Sequence, residues 1–519
     1  MTRTSAGVLV VIALTAGLAL RSARLDERPM HHDEANQAIK FGDLLERGDY
    51  RYDYRDHHGP TLYYLTLPSA WLGGRHTLAS LDEVTLRRVP VVFGAATIVL
   101  LPLLSAGIGR SATAAAAVLM ALSPAMVFYS RMFMQEALFA CFTFAFVIAV
   151  GRIATAGGRA WWILAGAAAG LAAATKETSA IVLPAAVLSC AAAWWSPGSG
   201  RPRNAFTDGH WRPAVFTSLI VAAAIAATFY TSFFTAPSAI LEPFRGAGTY
   251  LSRGMDPASH AHPWHYYAHL LLYTSSGGTR WSEAVVIVLA AVGAAAGWRG
   301  HAASSPEATF ANFWVRYLAC DVAIAGATFS AIPYKTPWNL LPFYVVVLAL
   351  AGCGFAALVA HARSRVALSA LMAALTIGAA HLAWQAWRAA ITYAADPRNP
   401  YVYAQTVPDA VRMAARIRDL SALHPDGARM QVSAIAPPDE QWPLPWYLRS
   451  MPNVGYWTAP GDPLAMQAPV IVSSAEHMPA VTKTLGDRYV TELYGLRPDV
   501  LQALYIKRGL WERFLGQTK

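Results

Sequence analysis

Met30-His31-His32-Asp33-Glu34-Ala35-Asn36 stands a few residues beyond the apolar stretch 6–20 that opens the chain. Two adjacent carboxylates behind two histidines, where a chain has just left a membrane, can take a proton, hold a metal ion, or both. Asp followed by helix formers is also an ordinary helix start. The meaning of the stretch therefore depends on where the other polar clusters fall.

The 519 residues are 55% hydrophobic and only 14% charged, with a mean hydropathy of +0.33. A water-soluble chain of this length would carry about a quarter charged residues. The composition is that of a polytopic membrane protein with room for one soluble module. Cys141, Cys190, Cys320 and Cys353 all lie in apolar segments and read as small core residues rather than disulfides or zinc ligands. The net charge of +10 does not indicate nucleic acid, because the basic residues are spread over short loops between apolar segments. With many spans following, the N-terminal segment reads as an uncleaved first helix.

A span needs about twenty mostly apolar residues. On that rule the sequence predicts eleven, at 5–22, 89–108, 113–129, 136–152, 160–175, 178–195, 213–235, 282–297, 313–332, 338–360 and 366–388. With the N-terminus inside, the short loops carrying Arg110, Arg152 with Arg159, Arg201 with Arg203 and Arg212, Trp298-Arg299-Gly300, and His361-Ala362-Arg363-Ser364-Arg365 also fall inside. That is the positive-inside pattern. Outside fall the long loop 23–88, the turns 130–136 and 175–178, the loop 236–281, the turn 332–337 and the tail. Nearly every acidic or mixed-charge cluster thus shares one face with His31-His32-Asp33-Glu34.

In the first outside loop, 34–46 predicts an amphipathic interfacial helix, with apolar positions Ala35, Ala38, Ile39, Phe41, Leu44 and Leu45. Beyond it come Asp53, Asp56, His57, His58 and the turn Gly59-Pro60, then the aromatic run Thr61-Leu62-Tyr63-Tyr64-Leu65. Glu136 lies at the membrane edge, where an ionisable residue is a functional candidate because burying it alone is costly. Arg131, Lys176 beside Glu177, and Tyr334-Lys335 supply cations and donors on the same face, able to grip a phosphate or to snorkel to the interface. The loop 236–281, with Glu242, Arg245, Arg253, Asp256, His260, His262, Trp264 and His265, is long and polar enough to serve as a substrate loop. Its histidines match no strong zinc spacing.

After Asp396-Pro397-Arg398-Asn399-Pro400 the composition becomes that of a soluble α/β module. Its predicted elements are a helix at 406–423, strands at 430–435, 470–473 and 489–493, and a tryptophan-rich helix starting in 441–449. The sequence contains no GxGxxG, Walker or nucleophile-elbow pattern. The expected layout is a mainly helical membrane domain over 1–390 and a C-terminal extracytoplasmic α/β domain over 391–519.

His32-Asp33-Glu34-Ala35 soon after the first span, followed by His57-His58-Gly59-Pro60-Thr61-Leu62-Tyr63-Tyr64, resembles the GT-C membrane glycosyltransferases. The likeness is to the protein O-mannosyltransferase and aminoarabinose transferase group, of glycosyltransferase family 39 type. The group's second acidic position falls on Glu136, and its lysine segment on Lys176. Ile332-Pro333-Tyr334-Lys335-Thr336-Pro337-Trp338 and Trp442-Pro443-Leu444-Pro445-Trp446-Tyr447-Leu448-Arg449 are similar to a prokaryotic branch named for flippase activity. Gly59 departs from the group, where relatives often carry proline.

The resemblance implies an integral inner-membrane enzyme with its N-terminus cytoplasmic and its site extracytoplasmic. It implies inverting transfer of a sugar from a polyprenyl-phosphate donor to a glycan, lipid or protein acceptor. Asp33, Glu34 and Glu136 are then the catalytic candidates, with Asp33 leading as base. His58, Tyr63, Arg131, Lys176, Tyr334 and Lys335 are substrate-binding candidates. Glu34, Glu136 and His58 could hold a divalent cation, Mg or Mn before Zn. The rival readings are a non-catalytic flippase or flippase-associated protein for lipid-linked glycans, and a metallohydrolase, which lacks an HExxH motif here.

Overall fold

The computed structural model describes residues 1–55, 58–197, 211–256, 260–299 and 306–517. Asp56, His57, Arg201, Arg203 and Gly300 lie outside the described residues, and of Arg253 only the backbone is described. Each of the eleven expected spans coincides with helix. Among the described residues, six helices are long and apolar enough to cross a membrane: Arg3–Ser22, Glu83–Ile108, Glu136–Ala156, Trp211–Tyr230, Pro337–His361 and Arg365–Thr392. Arg110–Leu122, Ser179–Trp195 and Ala284–Arg299 are shorter apolar helices.

Small residues let these helices approach closely. A Cβ on Gly354 would lie 1.8 Å from the Leu289 carbonyl oxygen, so the backbones of Leu341–His361 and Ala284–Arg299 touch there. Apolar surface gains little from packing against apolar lipid, so close backbone contact supplies much of the cohesion.

The expected span 113–129 is broken. It forms Arg110–Leu122 and a short helix Pro124–Tyr129, because Pro124 has no N–H to continue the ladder and Ser123 Oγ caps Met126 N. Glu283 fixes this break. Buried at 0% exposure, it accepts from Ser123 Oγ, Ala125 N, Tyr344 Oη and Tyr401 Oη. Four donors from three separate parts of the chain satisfy the carboxylate within the bundle.

Within 23–88, the expected first outside loop, the predicted amphipathic helix runs His32–Arg47. Ala35, Ala38, Phe41 and Leu44 form its buried face. The aromatic run begins a second helix, Thr61–Leu72. The loop 236–281 contains the helices Glu242–Met255 and Tyr266–Leu272, then a small hairpin of β1 (Thr274–Ser276) and β2 (Thr279–Trp281).

Past the helix Pro408–Leu423 comes a five-stranded sheet of β3 (Val432–Ile435), β4 (Val454–Trp457), β5 (Val470–Ser474), β6 (Tyr489–Arg497) and β7 (Val500–Lys507). Its order is β4-β3-β5-β7-β6. β3 lies parallel to both neighbours, while β7 runs antiparallel to β5 and β6. β3 and β5 are buried along their whole length, as strands covered on both faces are.

The tryptophan-rich segment shortens to a single turn, Leu444–Tyr447. Trp446 is fully buried and donates Nε1–H to Glu83 at 2.8 Å, with Arg449 over its ring. Here the tryptophan packs the sheet region against the start of helix Glu83–Leu100.

Candidate active site

Helix His32–Arg47 is started by His31. Its Nε2 donates to the Tyr403 carbonyl at 2.9 Å, which leaves Nδ1 to accept from Asp33 N at 3.1 Å. Glu34, three residues on, reaches back to His31 N at 3.0 Å and completes a capping box. The chain around the cap is gripped from the far end of the sequence. Met30 N donates to Tyr447 Oη, Gln405 Nε2 donates to the Pro29 carbonyl, and His32 packs against Trp442.

The two adjacent carboxylates separate completely. Asp33 is 41% exposed at its side chain, whereas Glu34 is wholly buried. Glu34 accepts from Arg87 Nε and Nη2 at 2.8 and 2.9 Å, from Arg28 Nη2 at 3.2 Å, and from Phe133 N at 2.8 Å. Burial alone would raise its pKa. Arg87 and Arg28 outweigh that effect and hold the carboxyl at about 2. With this many donors on two oxygens, Glu34 has no lone pair left for a metal ion or an acceptor, which corrects the expectation for it.

Through Phe133 N the first turn of this helix is tied to the turn that ends at Glu136. Glu136 is buried, and Lys176 Nζ donates to its Oε1 at 2.7 Å. Its Oε2 is buried without a hydrogen-bond partner. Lys176 also donates to Asn339 Oδ1 at 2.9 Å. The residue before Asn339, Trp338, packs its ring edge-on to His31 at 5.9 Å and near Tyr129 and Tyr403. Trp338-Asn339 therefore bridges the Asp33 cap and the Glu136–Lys176 pair.

Beside Lys176, His58 Nδ1 donates to Glu177 Oε2 at 2.7 Å. Burial pulls the His58 pKa down, but the Glu177 carboxylate more than reverses it and the net shift is upward. Burial pushes Glu177 up and His58 with its hydrogen bond brings it below the usual range, so both members favour the charged form. Gly59 makes the arrangement possible. Its N donates to the Thr175 carbonyl at 3.1 Å, and a Cβ there would lie 2.1 Å from the Ala174 carbonyl oxygen. The departure to glycine thus has a steric cause: any side chain, proline's ring included, collides with the 174–175 backbone.

Other expected site residues are used elsewhere. Tyr63 is buried and donates to Gln37 Oε1. Arg131 donates to the carbonyls of Leu20, Arg21 and Arg24, capping the end of helix Arg3–Ser22. Lys335 is buried and donates to the His262 and Ile332 carbonyls. All three are thus engaged by other parts of the chain. Tyr334 pairs its backbone with Ala261 and sets its ring edge-on to His260.

The expected metal trio does not assemble either. Glu34 belongs to the arginines, Glu136 to Lys176 and His58 to Glu177. Among the described residues no three His, Cys, Asp or Glu side chains come together as a metal site. The donor set does not fit a divalent cation.

Arg28, Arg87, Asn339, Glu177 and Tyr403 carry weight that the sequence reading did not give them. Only Glu177 had a local signal, its adjacency to Lys176.

The family model described as dolichyl-phosphate-mannose-protein mannosyltransferase matches residues 67–227. No curated protein matches the chain by sequence. Among solved structures the chain is similar to ArnT from Cupriavidus metallidurans bound to undecaprenyl phosphate. That match has 14% identity and a TM-score of 0.63, covering 98% of this chain and 99% of that one. It is also similar to the Archaeoglobus fulgidus oligosaccharyltransferase tethered with an acceptor peptide, at 11% identity and a TM-score of 0.61, covering 98% and 77%. The resemblance read from the Asp33 and Glu136 segments holds along the length of the fold: the chain has the architecture of the GT-C membrane glycosyltransferases.

Proposed function

We propose that the chain is an inverting glycosyltransferase that moves a sugar from a polyprenyl-phosphate donor to an acceptor hydroxyl on the extracytoplasmic face of the inner membrane. One observation carries the reading. A half-exposed carboxylate, Asp33, is locked on a doubly capped helix and bridged through Trp338-Asn339 to a buried lysine–carboxylate pair with an unpartnered oxygen.

In this reading Asp33 takes the proton of the acceptor hydroxyl. The acceptor oxygen forms its bond to the anomeric carbon from the face opposite the phosphate, and the bond from that carbon to the phosphate oxygen breaks. The bonding pair leaves on the polyprenyl phosphate. Lys176 is buried, and His58 beside it is held toward its charged form by Glu177, so positive charge there stabilises a developing anion. Glu136 Oε2 accepts a hydrogen bond from a substrate hydroxyl, while Oε1 holds Lys176 in place. Glu34 is a positioning residue that acts through the cap.

ArnT bound to undecaprenyl phosphate supports a lipid-phosphate donor by fold likeness. The eleven-span topology, with 1–390 as membrane domain and 391–519 as an extracytoplasmic module clamping the Met30–His32 segment, belongs to the same proposal.

The test incubates purified wild type, Asp33→Asn and Glu136→Gln with radiolabelled polyprenyl-phosphate sugars, with and without a chelator. Donor consumption that vanishes in Asp33→Asn and survives chelation supports the mechanism. Loss of activity on chelation overturns the metal-free form. Specific binding of a lipid-linked glycan with no donor consumed supports the flippase-associated reading instead.

A further inference from the structure

Helix Glu242–Met255 turns its large apolar side chains away from the protein. Phe244, Leu251 and Met255 stand at i, i+7 and i+11, which places them on one stripe of an α-helix. They are 78%, 71% and 62% exposed. Gly248 lies on the same stripe, and a Cβ there would meet nothing within 4 Å. The opposite stripe faces the chain. Glu242 is buried, a Cβ on Gly246 would lie 2.8 Å from Tyr54 Cβ, and Tyr250 Oη donates to the Tyr54 carbonyl at 3.0 Å. At the far end the Gly254 carbonyl accepts from Tyr334 N at 3.3 Å. Small and polar positions thus hold the helix to the protein, and the apolar stripe is left uncovered.

An exposed apolar surface of this kind marks an interaction site, and chain continuity identifies its occupant. The helix follows Trp211–Tyr230, which is long and apolar enough to cross a membrane and almost wholly uncovered by protein. Only residues 231–241 separate the two. Of these Phe233, Phe234, Ile240 and Leu241 are exposed as well, so the uncovered apolar residues continue along the chain from the crossing helix into the stripe. The connection is tied down at its start. Ser232 Oγ donates to the Tyr50 carbonyl, and the Phe233 ring lies 4.8 Å from that of Tyr64. Arg245, about 100° around the helix from Phe244, supplies a flanking charge, 59% exposed and paired with Glu242.

We infer that helix Glu242–Met255 lies along the membrane surface in the outer leaflet, with Phe244, Leu251 and Met255 in the acyl region and Arg245 at the level of the headgroups. The side of the membrane rests on the topology proposed above; the insertion itself is independent of the transfer reaction. The placement has a consequence for the site. Tyr52, two residues before Tyr54, donates to Glu177 Oε1 at 3.4 Å, and Glu177 holds His58. A helix seated in the leaflet and bound to Tyr54 fixes the depth of that pair relative to the lipid phosphates.

The test uses the full-length protein in phosphatidylcholine nanodiscs, with Cys141, Cys190, Cys320 and Cys353 replaced by alanine. Single nitroxide labels are placed at Phe244→Cys, Leu251→Cys, Met255→Cys and Arg245→Cys, and at Leu219→Cys on the crossing helix. Near-ultraviolet circular dichroism matching wild type confirms the fold of each. Power saturation against oxygen and a water-soluble nickel chelate reads the depth of each label. Expected at 244, 251 and 255 is access to oxygen over nickel, at depths of about 5–10 Å below the phosphates, with nickel reaching the label at 245. Nickel access at all three stripe positions places the stripe in water and overturns the inference. Exclusion of both probes there shows a protein cover, a second copy if the spectra broaden on full labelling, and overturns it too. The label at 219 separates the causes of failure: oxygen access there with nickel access on the stripe defeats the interfacial helix alone, whereas nickel access at 219 defeats the span as well.

Discussion

Asp33 and Glu34 are neighbours with the same functional group, yet substituting them should damage the protein in opposite ways. Glu34→Gln keeps the volume and removes the charge. It leaves the guanidinium groups of Arg87 and Arg28, at 1% and 4% side-chain exposure, without their counter-charge. Deleting one partner of a buried ion pair costs about 3–5 kcal/mol. A second route gives a similar figure. The fall of the Glu34 pKa from 4.5 to about 2 corresponds to roughly 3 kcal/mol in favour of the folded, ionised state. Because the folded value is the depressed one, this contribution is complete above pH 4.5 and is lost as the pH falls from there toward 2. Asp33→Asn, on a side chain 41% exposed, should change stability by no more than about 0.5 kcal/mol while abolishing donor consumption. The assay is reversible unfolding in mixed micelles with increasing dodecyl sulfate, followed by near-ultraviolet circular dichroism, alongside donor turnover. Glu34→Gln should lose stability, and its acid sensitivity above pH 2 should flatten. A Glu34→Gln protein as stable as wild type, or an Asp33→Asn protein destabilised as much as Glu34→Gln, refutes the division of labour.

Lys176→Met strands the buried Glu136 carboxylate and should destabilise by about 3–5 kcal/mol, with much of the loss restored in the Lys176→Met/Glu136→Gln double variant. A double-mutant cycle in the same unfolding assay measures the coupling, and strictly additive losses would refute a direct pair. Gly59→Ala forces a Cβ to within 2.1 Å of the Ala174 oxygen, so about 1–3 kcal/mol of strain and a weakened His58–Glu177 contact are expected. A thermal midpoint equal to wild type would contradict this. The His58–Glu177 pair also sets a pH window. The raised His58 pKa contributes fully below 6.5 and is lost as the pH climbs through its higher folded value. The lowered Glu177 pKa contributes above 4.5 and is lost as the pH falls through its lower folded value. Stability against pH should therefore lose its alkaline limb in His58→Gln, and an unchanged profile would dissociate the pair from stability. Tyr447→Phe removes the hydroxyl that accepts from Met30 N and should cost about 1–2 kcal/mol. A matching fall in kcat with little change in KM would show that the C-terminal residues position the cap, while an unaffected kcat would argue against that role.

Hydropathy and charge placed helices where each of the eleven apolar segments stands, six of them meeting the length and apolarity of a crossing. These are local properties: a segment's partition into lipid depends on its own residues, so a single sequence carries the information. The amphipathic helix after His31 was legible for the same reason, its periodicity being written in consecutive residues. The strands β4 and β7 were not. A four-residue strand containing Gly455 has little pattern of its own, and β7 is an almost unbroken apolar run whose identity as strand depends on the partners β5 and β6. At the site, the sequence singled out Asp33, Glu136, Lys176 and His58 by residue type and by the face they share. It could not distribute roles among them. Glu34 became a structural hub because Arg87, 53 residues away, reaches it, and the cap holds because Tyr447 contacts Met30 across 417 residues. Whether a carboxylate is a base, an ion-pair partner or a cap depends on which donors surround it and how much water they exclude. Those donors come from distant segments, and only the folded chain brings them within hydrogen-bonding distance.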